Sequence, residues 1–239
     1  MNLKYITLLL AACWTMAGCE KEAEMETPET VAYAMFYNGS VGFYNKLGYV
    51  LVNNLDSQMV TYNSYNQNAL GAFNYASYRK MHPGNYLVSF TDTLAKRLTN
   101  DVFSLEAGRH RTVYLTDSAG YYHTVVSEDD VARAADGALI RFLHLSPDNG
   151  PVTLYIDTEK INVTEDQRYR QISSWVKVAP NTKPGIRVVM EKEGVQTVLT
   201  RKSFALEAGK CYTLMLRGEN NPVDGDPNKQ TNLSGIINQ

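Results

Sequence analysis

The sequence has few cysteines, with three among 239 residues. Cys13 lies in an apolar run near the N-terminus, and Cys19 follows small residues that are typical of a processing site. An exported chain that loses Cys13 and modifies Cys19 keeps one free thiol, so an intramolecular disulfide is excluded. That thiol, Cys211, falls within an apolar strand pattern, which predicts a small core side chain rather than a nucleophile.

Charge of one sign and clusters of metal ligands are lacking as well. The chain has 23 Lys and Arg residues against 25 Asp and Glu residues, so its charge gives no basis for binding nucleic acid. Its histidines are scattered without the paired spacing of a metal site: His82, His110, His123 and His144. The sequence contains no Gly-rich phosphate loop and no nucleophile elbow, and it nominates no pair of carboxylates. We therefore expect no metal, no cofactor and no catalytic residues.

The apolar run at residues 5–12 is too short to span a membrane. Lys4 precedes it and Ala17-Gly18-Cys19 follows it, which predicts a secretory signal peptide covering residues 1–18. The Ala-Gly-Cys sequence resembles a bacterial lipobox, although Met16 stands where leucine is usual. The resemblance implies cleavage before Cys19 and lipidation of Cys19. Ordinary signal cleavage is the alternative.

Residues 19–30 are acidic, contain proline and have little to bury, which predicts a flexible tether. An acidic stretch behind a lipidated cysteine resembles the export signal that sends lipoproteins of one Gram-negative phylum to the outer face of the outer membrane. The resemblance implies a surface-exposed lipoprotein held by its acyl chains, each buried CH₂ contributing about 0.8 kcal/mol. A spacer without a sorting role, on a chain facing the periplasm, is the alternative.

An internal repeat organises the rest of the chain. Residues 103–109 (FSLEAGR) recur as residues 204–210 (FALEAGK), at an offset of 101. At this offset residues 83–117 share 12 identities in 35 positions with their counterparts, where chance gives about two, so the chain contains a duplication. The charged, Ala-rich residues 128–136 have no strand pattern. They are interpreted as a linker between repeat 1, residues 31–127, and repeat 2, residues 137–239.

Both repeats are rich in short runs of β-forming residues, such as residues 84–90 and 211–216. The Glu-Ala-Gly sequence between two such runs predicts a hairpin, because its glycine supplies the positive φ that the turn needs. Roughly seven or eight short strands per hundred residues predict an all-β fold of two tandem antiparallel β-sandwich domains, with a barrel as the alternative.

Repeat 2 resembles an uncharacterised family of bacterial extracytoplasmic domains. The resemblance rests on Arg141-x-x-His144-x-Ser146-Pro147, on a strand that ends at Asp157, on a Pro-Gly corner and on the Leu-x-x-Gly-Lys-x-Tyr-Thr sequence at residues 206–213. It implies immunoglobulin-like sandwiches, often found in tandem on lipoproteins, and implies no activity. Repeat 1 is degenerate, since Met35 and Asn38 stand where Arg141 and His144 would be.

His144, Ser146 and Asp148 suggest a catalytic triad, but their spacing argues against one. Side chains at i and i+2 of a strand share a face and point the same way rather than at each other, whereas a triad needs them in contact. A Ser-Pro-Asp sequence after a strand is also ordinary turn chemistry. We therefore predict structural roles, as bonds to neighbouring backbone, for the motif residues Arg141, His144, Ser146 and Pro147.

Repeat 1 also contains a segment rich in tyrosine and asparagine, a composition that suits recognition because tyrosine rings are rigid and amphipathic. Sugar faces stack on such rings, and amides bond their hydroxyls. The candidate ligand-binding residues are Tyr62, Asn63, Tyr65, Asn66, Tyr75 and Tyr78. The alternative is a loop and edge strand whose tyrosines half-cover the sandwich.

Two short sequences resemble the O-glycosylation sequon that the same phylum uses on exported proteins. They are Asp92-Thr93-Leu94 and Asp117-Ser118-Ala119, which make Thr93 and Ser118 candidate glycosylation sites. The oxygen-rich residues 220–228 look like a calcium loop but lack the regular spacing and the terminal glutamate of an EF-hand, so we predict a surface loop.

These observations predict a lipid-anchored protein of the cell envelope that binds or adheres to a glycan or a protein without catalysing a reaction. One alternative is a structural spacer, or a component of an envelope or fimbria-like assembly. A second is an enzyme or a glycan-processing accessory, for which the sequence nominates no residues.

Overall fold

The structure is a computed structural model that describes residues 30–43, 48–53, 56–60, 74–75, 78–129 and 132–238. The predicted signal peptide, Cys19 and nearly all of the predicted tether lie outside these residues. So do four of the candidate ligand residues, namely Tyr62, Asn63, Tyr65 and Asn66.

The described chain is built from 17 strands joined by turns and two short 3₁₀ turns. Repeat 1 supplies β1 Ala32–Asn38, β2 Gly48–Val52, β3 Asp56–Val60, β4 Asn74–Tyr75, β5 Arg79–Met81, β6 Gly84–Asp92, β7 Asp101–Leu105, β8 His110–Ser118 and β9 Tyr121–Glu128. Repeat 2 supplies β10 Ala138–His144, β11 Val152–Ile156, β12 Glu159–Lys160, β13 Val176–Val178, β14 Gly185–Lys192, β15 Val195–Ser203, β16 Cys211–Arg217 and β17 Asn232–Asn238. The 3₁₀ turns are Asn162–Thr164 and Pro227–Lys229.

Each repeat folds into two packed sheets with the same strand order, which confirms the all-β prediction of two β-sandwich domains. Repeat 1 has the sheets β5-β1-β8-β9 and β3-β2-β6-β7, and repeat 2 has β13-β10-β16-β17 and β12-β11-β14-β15. The strands pair antiparallel except β1 with β8, β10 with β16, and β4 with β17. The last of these pairs adds a strand of repeat 1 to a sheet of repeat 2.

The Glu-Ala-Gly sequence was wrongly predicted to form a hairpin, since it carries the chain from one sheet to the other. β7 and β8, which flank it in repeat 1, belong to different sheets. Gly108 and Gly209 have φ values of 75° and 77°, so the glycine requirement was correct. Their N–H groups donate to the carbonyls of Val31 and Gly137, just before the first strand of each repeat. The turn is therefore closed by the start of its own repeat and not by the adjoining strand.

Each sandwich buries its own hydrophobic core, and a third core lies between the two repeats. The third core contains Met35, Tyr37 and Tyr114 from repeat 1 and Leu143, Leu145, Met215 and Ile236 from repeat 2. All seven residues of β10 and all seven of β16 are buried, because both faces of this sheet are covered. The free thiol Cys211 is 2% exposed and lies at the start of β16, as a core side chain would.

The repeats meet through equivalent faces. Tyr37 pairs with Tyr114 across β1 and β8, and Leu143 pairs with Met215 at the same positions of β10 and β16. All four side chains belong to the third core. Two identical subunits related by a two-fold axis meet in this way. The duplicated chain is thus arranged like a homodimer fused into one polypeptide.

Candidate ligand site at the repeat junction

Arg141 lies in the middle of β10, where its apolar neighbours leave its charge no route to water, and it is 3% exposed. Its Nε donates to Thr213 Oγ1 at 2.9 Å, and its Nη1 donates to the Glu128 carbonyl at 2.6 Å. Its Nη2 donates to Ser127 Oγ at 3.0 Å and pairs with the Asp129 carboxylate. A buried guanidinium is tolerated only when its protons are satisfied in this way.

Asp129, a residue of the predicted linker, is 1% exposed and supplies the counter-charge. Besides Arg141, its carboxylate accepts from the hydroxyls of Thr112, of Ser127 at 2.6 Å and of Tyr78 at 2.8 Å. A carboxylate that ends repeat 1 is therefore neutralised by an arginine of repeat 2. The sequence signal for this ion pair was Arg141 inside an apolar strand, because a buried guanidinium requires a nearby carboxylate.

The ion pair is part of a closed ring of side chains from both repeats. Arg141 donates to Thr213, whose hydroxyl donates to Asn238 Oδ1 at 2.6 Å. Asn238 Nδ2 donates to the Tyr78 hydroxyl at 2.9 Å, and Tyr78 donates to Asp129. Burial raises the pKa of Tyr78, so its hydroxyl remains a donor. We call these five residues, Asp129, Arg141, Thr213, Asn238 and Tyr78, the junction ring.

Two of the candidate ligand tyrosines fall within the described residues. Tyr75 lies on the short strand β4, and Tyr78 has its hydroxyl within the junction ring. The Tyr78 ring packs edge-on against His110, with 4.9 Å between ring centroids. Burial also raises the pKa of Tyr114, a third-core residue, to about 12.

His144 ends β10 and holds the corner that follows. Its Nδ1 accepts from the backbone N–H of Ser146 at 3.2 Å, so its Nε2 carries the proton and donates to the Gly150 carbonyl at 3.1 Å. The Ser146 hydroxyl donates to the Gly218 carbonyl and accepts from Asn149 Nδ2. Pro147 follows, half-buried, in the same corner.

Repeat 1 builds the same corner with an asparagine. Asn38 Oδ1 accepts from the Ser40 N–H at 3.0 Å, and Asn38 Nδ2 donates to the Phe43 carbonyl at 3.2 Å. The amide thus copies both bonds of the His144 ring, because both groups offer one acceptor and one donor at a similar separation. The same bonds made by a group that cannot act as a general base indicate a shared structural corner.

His144, Ser146 and Asp148 do not form a triad. The two His144 nitrogens bond backbone atoms, and burial lowers the pKa of the imidazole, which keeps it neutral. The Ser146 hydroxyl is fully buried and donates to a carbonyl. The Asp148 carboxylate accepts from the backbone N–H groups of Asn220 at 2.8 Å and Asn221 at 3.2 Å.

The backbone of His144 also pins a turn at residues 168–171. Its carbonyl accepts from the Arg170 N–H at 2.7 Å, and its N–H donates to the Gln171 carbonyl at 3.1 Å. Tyr169 bonds the other repeat, with 3.2 Å between its hydroxyl oxygen and Thr116 Oγ1. The turn is thereby fixed between the two sandwiches.

A polar groove follows the junction beside this turn. It consists of two adjoining cavities of about 360 and 350 Å³ that share Thr124 and Arg170. The first is completed by Val125, Tyr169 and Gln171, and the second by Leu98, Thr99, Asn100, Asp101, Tyr122 and His123. We call this the junction groove. Strands β7 and β9 of repeat 1 form one wall, and the pinned turn of repeat 2 forms the other.

Arg170 is the cation that lines both cavities of the groove, and Asp101 lines one of them. Its φ is 67°, a left-handed conformation that is unfavourable for a residue with a side chain. Its guanidinium lies 5.8 Å from the centre of the Tyr169 ring and forms no ion pair with any residue that the structure describes. Nothing in the sequence Arg168-Tyr169-Arg170-Gln171 marks this turn as facing another domain, so it was not predicted.

The remaining candidate sites have simpler surroundings. In the oxygen-rich loop, Lys229 pairs with Asp224, and no cluster of three metal-ligating side chains occurs in the part of the chain that the structure describes. Thr93 lies in an exposed turn, where Asp92 accepts from the N–H groups of Leu94 and Lys96. Ser118 is half-buried and follows Asp117, whose carboxylate is committed to Ser40 and Gly42.

The fold and the junction define a class of protein, a tandem β-sandwich whose two modules are joined by a buried polar ring and a shared core. Residues 48–155 and 138–230 match the family described as Domain of unknown function (DUF4397), and the chain belongs to this family. The first match begins at β2 and extends into β11, so it crosses the boundary between the repeats. No curated protein matches the chain. Among the described residues, no helix is long and apolar enough to cross a bilayer.

Proposed function

We propose that this chain is a lipid-anchored, non-catalytic binding protein of the cell envelope that holds a glycan in the junction groove. The observation that carries the proposal is Arg170, a cation without an ion-pair partner among the described residues, in a left-handed turn beside the Tyr169 ring and between walls from both repeats. A backbone held in an unfavourable conformation is often kept for function. Tyrosine offers a flat face for a sugar ring, while Asn100, Gln171 and Thr124 offer bonds for hydroxyl groups.

The proposed location in the cell envelope rests on the N-terminal sequence. The lipobox-like Ala17-Gly18-Cys19 and the acidic residues behind it support an acylated Cys19 and a position on the outer membrane, facing outwards. Metabolic labelling with a fatty-acid analogue should mark the wild-type protein and leave Cys19→Ala unmarked. An unlabelled wild-type protein would remove the anchor from the proposal.

The hydrogen bonds of the motif residues support a non-catalytic role. The polar side-chain atoms of Arg141, His144 and Ser146 form hydrogen bonds within the protein. These atoms are therefore not available to act on a substrate. Binding in the groove requires no proton transfer or nucleophile.

A structural spacer is the second candidate, and the third core favours it. Seven buried side chains shared by the repeats hold the two sandwiches as one body, which suits a rigid strut in an envelope assembly. The exposed turn at Thr93 supports glycosylation there in either role.

The test is glycan-array binding of the full mature chain, made soluble by Cys19→Ala. We expect Arg170→Ala and Tyr169→Ala to abolish retention of a bound glycan. Arg168→Ala should have no effect, because it removes an exposed arginine from the same turn whose backbone N–H, not its side chain, bonds Gln171.

Two other results would redirect the proposal. Loss of binding in Tyr62→Ala and Tyr65→Ala, with Arg170→Ala unaffected, would move the site to the Tyr/Asn segment. No retained glycan, together with a stable complex with an envelope protein, would favour the spacer.

A further inference from the structure

The outer face of the β12-β11-β14-β15 sheet carries a row of cations that no motif explains. Tyr155 pairs with Lys160 of β12 and with Arg187 of β14, and Arg187 pairs with Arg201 of β15. Directly paired residues project from the same face of a sheet. The four side chains therefore form one line across the sheet, which we call the basic row: Lys160, Tyr155, Arg187 and Arg201.

The basic row is incompletely neutralised. The Arg187 guanidinium lies 4.8 Å from the centre of the Tyr155 ring, and its Nε is buried without a hydrogen-bond partner in the described part of the chain. Arg201 is exposed and forms no ion pair with a described residue. Lys160 alone has a carboxylate partner, Glu165 at 2.7 Å, in an exposed pair. Like charges directly opposite each other destabilise a sheet, so the Arg187–Arg201 pair works against folding.

Repeat 1 shows that the fold does not need these cations. At the offset of 101 that relates the repeats, Arg187 corresponds to Tyr86 and Arg201 corresponds to Asn100. Neither residue of repeat 1 carries a charge, so the two cations belong to repeat 2 alone.

We propose that the basic row binds the carboxylate groups of an acidic polysaccharide laid across the sheet. Guanidinium groups take carboxylates in a bidentate fashion, and Tyr155 offers its ring to a sugar face. The row crosses three gaps between strands, about 14 Å in all, which is long enough for several linked sugars.

The surroundings of the row favour a linear chain over an anionic membrane. Glu191 lies four residues beyond Arg187 on the same face of β14, about 13 Å along the strand. A polysaccharide running along the row avoids this carboxylate. A flat anionic bilayer pressed against the sheet would meet it and be repelled.

The test measures binding of the mature Cys19→Ala chain to polygalacturonate. We expect Arg187→Gln/Arg201→Gln to weaken binding by about tenfold or more, because two charge-assisted contacts are lost. The matched control, Lys96→Gln/Arg109→Gln, removes two exposed cations from repeat 1 and should bind as the wild type does. Equal losses in both double variants would overturn the proposal, because they would indicate non-specific charge attraction.

Two further measurements distinguish the basic row from the junction groove and from a lipid surface. The junction groove is tested by Arg170→Ala on the glycan array and the basic row by Arg187→Gln/Arg201→Gln on polygalacturonate, so the two proposals succeed or fail separately. Phosphatidylglycerol vesicles should not be bound, and vesicle binding that depends on Arg187 and Arg201 would replace the polysaccharide with a lipid surface. Thermal unfolding should show that the Arg187→Gln/Arg201→Gln variant is as stable as the wild type or more so.

Discussion

The two repeats share a topology, yet they differ at the positions that face outwards or face each other. At the corner after the first strand, Asn38 and His144 are different residues that make the same two bonds. On the outer sheet, Arg187 and Arg201 of repeat 2 align with Tyr86 and Asn100 of repeat 1, which carry no charge. The two repeats therefore share the hydrogen bonds of the corner, whereas the cations on the outer sheet occur in repeat 2 only.

The largest expected effect comes from the buried ion pair between Asp129 and Arg141. Asp129→Ala should destabilise the protein by about 3–5 kcal/mol, because it leaves the Arg141 guanidinium buried without a counter-charge. Repeat 1 has Met35 at the place of Arg141, so Asp129→Asn/Arg141→Met tests whether a neutral junction suffices. Urea unfolding should show the double variant to be more stable than Asp129→Ala, and a double variant that is no better would contradict this account.

The second largest effect on stability is expected from a substitution in the third core. Leu143→Ala should lower the free energy of unfolding by about 2–5 kcal/mol, since it opens a cavity between the sandwiches. The two repeats should still unfold together, because the junction ring and the rest of the core remain. Calorimetry tests this, and two separate transitions already present in the wild type would show that the modules are independent.

The corner predicts a smaller effect with a clear pH dependence. His144→Asn copies repeat 1 and should reduce stability by less than about 1 kcal/mol, whereas His144→Ala should lose about 1–3 kcal/mol by stranding two backbone groups.

Burial lowers the pKa of His144 from its usual 6.5. Below pH 6.5 the imidazole is therefore protonated in the unfolded chain while it is still neutral in the folded protein. The contribution of His144 is complete above about pH 6.5 and is lost as the pH falls towards the lowered value, with a slope of up to about 1.4 kcal/mol per pH unit. Unfolding measured between pH 5 and 8 should show a shallower slope for His144→Asn. An unchanged slope would indicate an imidazole that is protonated in the fold.

The smallest effect concerns the outer sheet. Arg187→Leu/Arg201→Val replaces the two facing cations with apolar residues that suit a strand and should raise stability by less than about 1 kcal/mol, because it removes a like-charge pair. Chemical denaturation checks the sign, and a clear loss of stability would assign the arginines a structural role instead.

The sequence predicted those features that repeat or alternate. The offset of 101 between FSLEAGR and FALEAGK revealed the duplication, and the β-forming runs revealed the strands. It could not reveal the junction, because Asp129 lies in a stretch with linker composition and its burial depends on Arg141 of the other sandwich. The groove was hidden for the same reason, since Thr124 and Arg170 are brought together only by the packing of two domains.

The arginine at one side of the junction has a consequence for pairing between molecules. Two copies of repeat 2 meeting face to face would place Arg141 opposite Asn238, and two copies of repeat 1 would leave Asp129 facing Met35. Each mismatch strands a buried charge, whereas the covalent neighbour satisfies both. The junction therefore favours contact between unlike repeats and disfavours contact between the like repeats of two molecules.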